Sequence, residues 1–267
     1  MNSAVFRHAL RQNRLRLLVV IAALVGWGAL MPVIYAAFGA EMAEIIRQFP
    51  MMEQFTRFGG GNMFSLPGSI GLGFIHPIAI ALLAVFAIVY PVMAVAGERQ
   101  RGTLENVLAR PVARRSFYAT LMVAAALFIA LSVAAALVGA LVSSAAVDRL
   151  EELQAQNLPL LWLNGTLLYL AIASVGLAAS VSFDRPAPAA AITLAIVLVA
   201  YFLQILGSLW PDAEWLQPYS LFYYLKPEEV LTNGLPLVDV ALLATVAVAG
   251  VIYALIVFPR RDLAAPA

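Results

Sequence analysis

Gly97–Arg115 reads GERQRGTLENVLARPVARR, and it separates two stretches that hold no Asp, Glu, Lys or Arg at all, Phe58–Gly97 and Ser116–Val147. A segment this charged cannot reside in hydrocarbon, where each ionised side chain is costly. It must lie at a membrane surface, with the flanking stretches crossing the bilayer on either side. Composition agrees. Apolar residues make up 63% of the 267 residues and charged residues 12%, about half the charged fraction of a soluble domain. Mean hydropathy is +0.91.

A span needs about 20 apolar residues to cross a core ~30 Å thick. Charge-free runs occur at Leu17–Ala40, Phe58–Gly97, Ser116–Val147, Leu153–Phe183, Pro186–Pro211 and Val240–Pro259. The second run is long enough for two spans. Its first part, however, carries Gly59, Gly60, Gly61, Pro67 and Gly68, which interrupt helices. One span is expected there, with Pro77 and Pro91 tolerated as kinks packed against neighbours. The expected fold is an all-α polytopic membrane protein with six transmembrane helices, at 17–40, 69–96, 116–147, 159–182, 187–209 and 240–258, forming a single transmembrane domain over 1–267.

The basic residues orient it. With the N-terminus inside, Arg7, Arg11, Arg14, Arg16, Arg99, Arg101, Arg110, Arg114, Arg115, Arg185, Arg260 and Arg261 fall on one side, and only Arg47, Arg57, Arg149 and Lys226 on the other. That 12-to-4 split is the positive-inside pattern. A seventh span would place Arg99 through Arg115 outside and spoil it. Both termini are therefore expected in the cytoplasm, in a multi-pass protein of the cell membrane. The first apolar run is too long for a signal-peptide core, and no small-residue cleavage site follows it.

Short amphipathic helices are expected at both surfaces. In residues 1–16, Phe6, Ala9, Leu10, Asn13 and Leu17 share one helical face and Arg7, Arg11 and Arg14 another. This pattern fits an interfacial helix on an anionic leaflet and equally a positive anchor for the first span. In the outer segment 41–68, Met42, Ile45, Ile46 and Phe49 recur at helical spacing up to Pro50, and Met52, Phe55 and Phe58 suggest a second short helix. In the outer segment 210–239, Trp210, Trp215, Tyr219, Tyr223 and Tyr224 suit an interfacial aromatic belt. Lys226, Glu228 and Glu229 there read as a solvated rim.

Several chemistries are excluded. There is no cysteine, so disulfides, thiolate metal sites and cysteine nucleophiles are absent. Two histidines, His8 and His76, cannot build a zinc H-E-x-x-H site together with further imidazole ligands, and His76 before Pro77 reads as a structural, hydrogen-bonded residue. No expected span holds Asp or Glu, so there is no intramembrane carboxylate pair. Met42, Met51, Met52 and Met63 would suit soft Cu(I), but methionines at helical spacing usually pack; no metal site is assigned. A P-loop needs lysine within G-x-x-x-x-G-K-[ST]. The only lysine, Lys226, lies between Leu225 and Pro227, so any ATP-driven role requires a separate ATPase. Embedded Asn164, Tyr201 and Gln204 are the polar candidates for a substrate pathway.

Within the charged segment, Gly102 should end the preceding helix and Thr103 should cap a short new one, with Glu105 in its first turn. Leu104, Val107 and Leu108 form one face, and Pro111 stops the helix. The order Glu98, Gly102, Thr103, Glu105, Leu108, Pro111, Arg114 resembles the E-x-x-x-G-T-x-E-x-x-L-x-x-P-x-x-R signature of type 2 ABC exporter permeases, between spans two and three. The closing F-x-R-R-D-L, at Phe258, Arg260, Arg261, Asp262 and Leu263, extends the likeness over the whole chain. The resemblance implies a transport subunit with no catalytic residues and no bound cofactor. Its partners would be a second permease subunit, identical or homologous, and two cytoplasmic ABC ATPases that carry ATP and magnesium; no nucleic acid is involved. It further implies that Leu104–Ala109 is the coupling helix. Glu98, Gly102, Thr103, Leu104, Glu105, Val107, Leu108, Arg110, Pro111 and Arg114 would then make the docking site. Alternatives are a metalloenzyme-maturation permease of the nitrous oxide reductase type, a secondary transporter without an ATPase, and a membrane scaffold.

Overall fold

The computed structural model describes residues 2–48, 64–104 and 113–261, without the side chains of residue 40 and of residues 42–48. The described residues are helices and turns with no strand. Six helices are long and apolar enough to cross a membrane. We label the helices α1 (Ser3–Gln48), α2 (Leu66–Ile75), α3 (Pro77–Gln100), α4 (Arg114–Ala146), α5 (Leu158–Ser182), α6 (Pro186–Leu209), α7 (Pro227–Asn233) and α8 (Leu237–Val257). The spans are α1, α3, α4, α5, α6 and α8.

The helix α1 is longer than expected. The first 16 residues do not form a separate surface helix, because the chain runs helically from Ser3 to Gln48 without interruption. No glycine pair or proline breaks the junction, and Pro32 lies well inside. The length is about 69 Å, more than twice the ~30 Å core, so both charged flanks ride on one rod. The expected faces are nevertheless present. Ala9 and Asn13 are buried, while Arg7, Arg11 and Arg14 are exposed. Asn2 donates its backbone N–H to Thr120 Oγ1 in α4 at 2.9 Å. The helix expected to stop at Pro50 is the continuation of α1, with Pro50 itself outside the described residues. The helix expected around Met52, Phe55 and Phe58 and the side chains of Met42, Met51, Met52 and Met63 also lie outside them. Among the described residues no group of three His, Cys, Asp or Glu could hold a metal ion.

Backbone contact joins α1 to α4. A Cβ on Gly28 would stand 2.0 Å from the Ala136 carbonyl oxygen, and one on Gly139 would stand 2.1 Å from that of Val25. Only hydrogen fits at either site. In lipid, where apolar burial gives no drive to associate, such close approach supplies the packing contacts that hold helices together.

The second charge-free run divides differently from the expectation of one span beginning at residue 69. Leu66–Ile75 is a separate helix with nearly every residue buried, packed against α1 and α7. His76 is extended (φ −67°, ψ 141°), so the helix stops there. Pro77, pre-set for a first helical turn, starts α3. The His76 Nδ1 accepts from Ile78 N at 3.3 Å, its ring lies 4.7 Å from Trp27, and Trp27 donates Nε1–H to the Gly73 carbonyl at 2.9 Å. His76 is thus a structural cap.

The helix α5 forms the centre, touching α3, α4, α6, α7 and α8. Its most apolar stretch is 61% buried, against 17% for α8. The outward faces of α1, α6 and α8 expose large apolar residues such as Phe38, Phe202 and Ile252, as lipid contact demands.

At the end opposite the arginine-rich segment, the chain after α6 folds into 3₁₀ turns, Pro211–Tyr219 and Leu221–Tyr224, followed by α7. Trp210, Trp215 and Tyr219 are exposed, but Phe222 and Tyr224 are buried plugs. Burial first, then Tyr223 and Asp239, raise the Tyr224 hydroxyl's pKa against the lowering influence of Lys226. It stays protonated and donates to the Pro218 carbonyl at 2.8 Å. Lys226, expected on a solvated rim, instead bridges Glu229 at 3.8 Å and the buried Asp239 of α8 at 3.5 Å. Glu228 accepts from Ser65 at 3.1 Å, which ties α7 to the start of α2. These charges tie the start of α7 to α8 and to α2, with Asp239 the one buried partner among them.

Candidate functional site: the arginine-rich end

The helix α3 ends in a Schellman turn. Gly102 adopts φ +68°, a left-handed conformation that costs a residue with Cβ roughly 1–2 kcal/mol. Gly102 N–H donates to the Arg99 carbonyl at 2.9 Å and Thr103 N–H to the Glu98 carbonyl at 3.0 Å, the paired bonds that close this motif. Gly102 therefore terminates the helix as its sequence position suggests. Thr103 was expected to cap the following helix, whose first N–H groups beyond Leu104 lie outside the described residues. Its hydroxyl donates back to Glu98, whose carbonyl and carboxylate both lie within reach. Glu98 also pairs with Arg101. The turn is stapled from both sides.

Leu104 is 1% exposed and joins an apolar cluster with Val95, Phe117, Leu121, Val181 and Phe258. It anchors the segment to α3, α4, α5 and the turn after α8, and presents no surface outward. Glu105, Val107, Leu108, Arg110 and Pro111 lie outside the described residues.

Charge organises the rest of this end. Arg99 Nη1 lies 3.0 Å from Asp184 Oδ1, and Arg261 Nη2 approaches the same oxygen. Asp184 sits between α5 and α6, Arg99 at the foot of α3, and Arg261 just past α8. Arg261 also donates to the Val181 carbonyl at 2.9 Å. Arg114, at the start of α4, donates to the carbonyls of Pro259 at 3.2 Å and Arg261 at 2.9 Å. It satisfies backbone that ends with the 3₁₀ turn Phe258–Arg260. Below these pairs Phe258 stacks on Phe117 at 6.2 Å. One carboxylate thus draws together four helix ends. Its side chain is 47% exposed, so each pair contributes on the order of 0–1 kcal/mol, and the value of the cluster is positional.

Sequence reasoning placed Glu98, Gly102, Thr103, Leu104 and Arg114 in this neighbourhood; the structure has them at this end, with Leu104 turned into the core instead of onto a docking face. Asp184 and Arg261 were not assigned there. The available signal was Asp184's place as a lone carboxylate, beside Arg185, in the short connection between two charge-free runs.

The polar residues named for a pathway are not gathered around one opening. Asn164 is fully buried and donates to the Tyr224 carbonyl at 2.9 Å, which pins the plug beneath the opposite end. Tyr201 packs edge-on to Phe222 at 5.6 Å. Gln204 lies one turn along α6, where its backbone carbonyl accepts from Ser208 Oγ at 2.8 Å.

Six spans, a core of apolar side chains and a charged connection fastened at one end define a multi-pass membrane protein. The chain belongs to the ABC-2 family transporter proteins, whose family model matches residues 5–263. It is accordingly a transmembrane permease subunit of an ABC transporter, and membership implies association with ABC ATPase partners. No curated protein matches the chain.

Proposed function

We propose that this chain is the membrane half of an ATP-driven exporter, and that segment 104–112 is the place where a separate cytoplasmic ATPase docks and pushes. The observation that carries the reading is the fastening of the segment's base. A Schellman turn, the buried Leu104 and the Asp184 cluster join it to α3, α4, α5 and α8. A thrust on the segment therefore reaches several spans together, as coupling to a motor requires. Leu104 serves as the root of this docking element, leaving Val107 and Leu108 for the partner and Glu105 and Arg110 for register. Two permease subunits would enclose the pathway between them, with the arginine-rich end and both termini in the cytoplasm, as the 12-to-4 distribution of basic residues favours.

The test is co-purification with an ABC ATPase that the parent chain retains. Glu105→Arg and Leu108→Asp should each reduce ATPase recovery at least tenfold and abolish permease-dependent ATP hydrolysis, while the permease still elutes as a folded species. Full recovery and unaltered hydrolysis in both variants would remove the docking role.

A further inference from the structure

The helix α3 is not α-helical throughout. Val85–Val89 and Met93–Gly97 are π-helical turns on either side of Pro91. The first has a local cause. Pro91 has no N–H and its ring crowds the carbonyl four residues back, that of Ala87, and a wider turn relieves both problems. There Tyr90 N–H donates to Val85, five residues back. No proline explains the second turn. A neighbouring helix does. Ser180 Oγ of α5 accepts from Ala96 N–H at 2.9 Å and donates to the Val92 carbonyl at 2.8 Å. Those are the two groups that an α-helix would bond to each other. Ser180 is 1% exposed, so no water competes for either group.

We propose that Ser180 is a positioning residue that holds α3 in a wide register, and that its withdrawal lets the Met93–Gly97 turn close into an ordinary α-turn. Closing removes one residue from the bulge. Everything below then rotates by about 100° and shifts by about 1.5 Å along the axis. The part that rotates carries Glu98, Arg99 and the Schellman turn. The Arg99–Asp184 pair opposes rotation and the direct Ala96–Val92 bond favours it, so two registers compete. A π-turn inside a span, at the junction with a working segment, is where such irregularities are commonly found. Sliding of α5 against α3 thereby becomes a turn of the segment's root. The register switch stands on these hydrogen bonds; its use in transport rests on the docking role proposed above.

The chain has no cysteine, so spin labels can be placed at will. Labels at Gln100→Cys and Arg115→Cys, both exposed positions, report the azimuth of the foot of α3 against α4. The measurement is double electron–electron resonance on the full chain in lipid nanodiscs, and needs no ATPase. Ser180→Ala should add a second distance population displaced by up to about 8 Å, the chord of a 100° turn at the radius of a helix. Ser180→Thr, which keeps the hydroxyl, should retain the parent distribution. A single unchanged population in Ser180→Ala overturns the proposal. Deleting Ala94 with Ser180 intact provides an independent arm. If the turn carries an extra residue, deletion restores an α-ladder and leaves the distance unchanged; if the foot instead rotates by the full ~8 Å, the proposal fails. Either failure leaves the ATPase-docking test untouched.

Discussion

Asp184 lies 85 positions from Arg99 and 77 from Arg261 in the chain, yet one of its oxygens serves both. The cluster's strength therefore depends on shared geometry, and it should be read as a unit. In a double-mutant cycle on unfolding in detergent, Arg99→Ala and Asp184→Asn should show a coupling of about 0.5–1 kcal/mol. The coupling should shrink as ionic strength rises, because the carboxylate is partly solvated. Strictly additive losses at low salt would mean that the two side chains act independently. Gly102 shows the opposite kind of legibility. A glycine between a helical run and a Thr-Leu start points to a left-handed cap from local chemistry alone, and the structure has that cap. Asp184 had no such local signature, since no spacing rule connects residues so far apart.

At the scale of elements, lipid explains both what could be read and what could not. Runs of about 20 apolar residues announce spans because the bilayer leaves no other option. Where one helix ends and the next begins is decided by a single backbone angle. His76 separates α2 from α3 in the middle of an unbroken apolar stretch, and hydropathy does not register it. The continuity of α1 was equally hidden, because an amphipathic pattern has the same 3.6 period whether the helix lies along a surface or runs on into the core. The π-turns of α3 were legible in part. Pro91 forecast an irregularity, whereas the turn held by Ser180 depends on a partner in another helix. The α1–α4 contact carries a prediction at this scale. Gly139→Val would press carbons into the Val25 carbonyl and should cost about 3 kcal/mol or more, read as a lower midpoint on denaturation in mixed micelles. Gly26→Val, where a Cβ meets nothing within 4 Å, should be nearly neutral in the same assay.

The whole molecule has two unlike ends. One gathers Asn2, Arg99, Arg114, Asp184 and Arg261; the other holds the plug of Phe222 and Tyr224 with its exposed tryptophans. The count of basic residues predicts which faces the cytoplasm. In a chain free of native cysteine, Gln100→Cys should react with a membrane-impermeant maleimide only in inverted vesicles, and Trp215→Cys only in right-side-out ones; the reverse pattern would overturn the orientation. The length of α1 adds a mechanical consequence. The helix is pressed backbone to backbone against α4 at Gly28, about 37 Å from its first residue at 1.5 Å per residue. If that contact is the fulcrum, a 10° tilt of the rod sweeps Arg7 through roughly 5 Å and Arg16 through roughly 3 Å. A small rocking of the first span inside the bilayer is then delivered, magnified, to the water on the arginine-rich side. The same lever works in reverse, so a partner that grips those arginines gains leverage over the first span without touching the lipid.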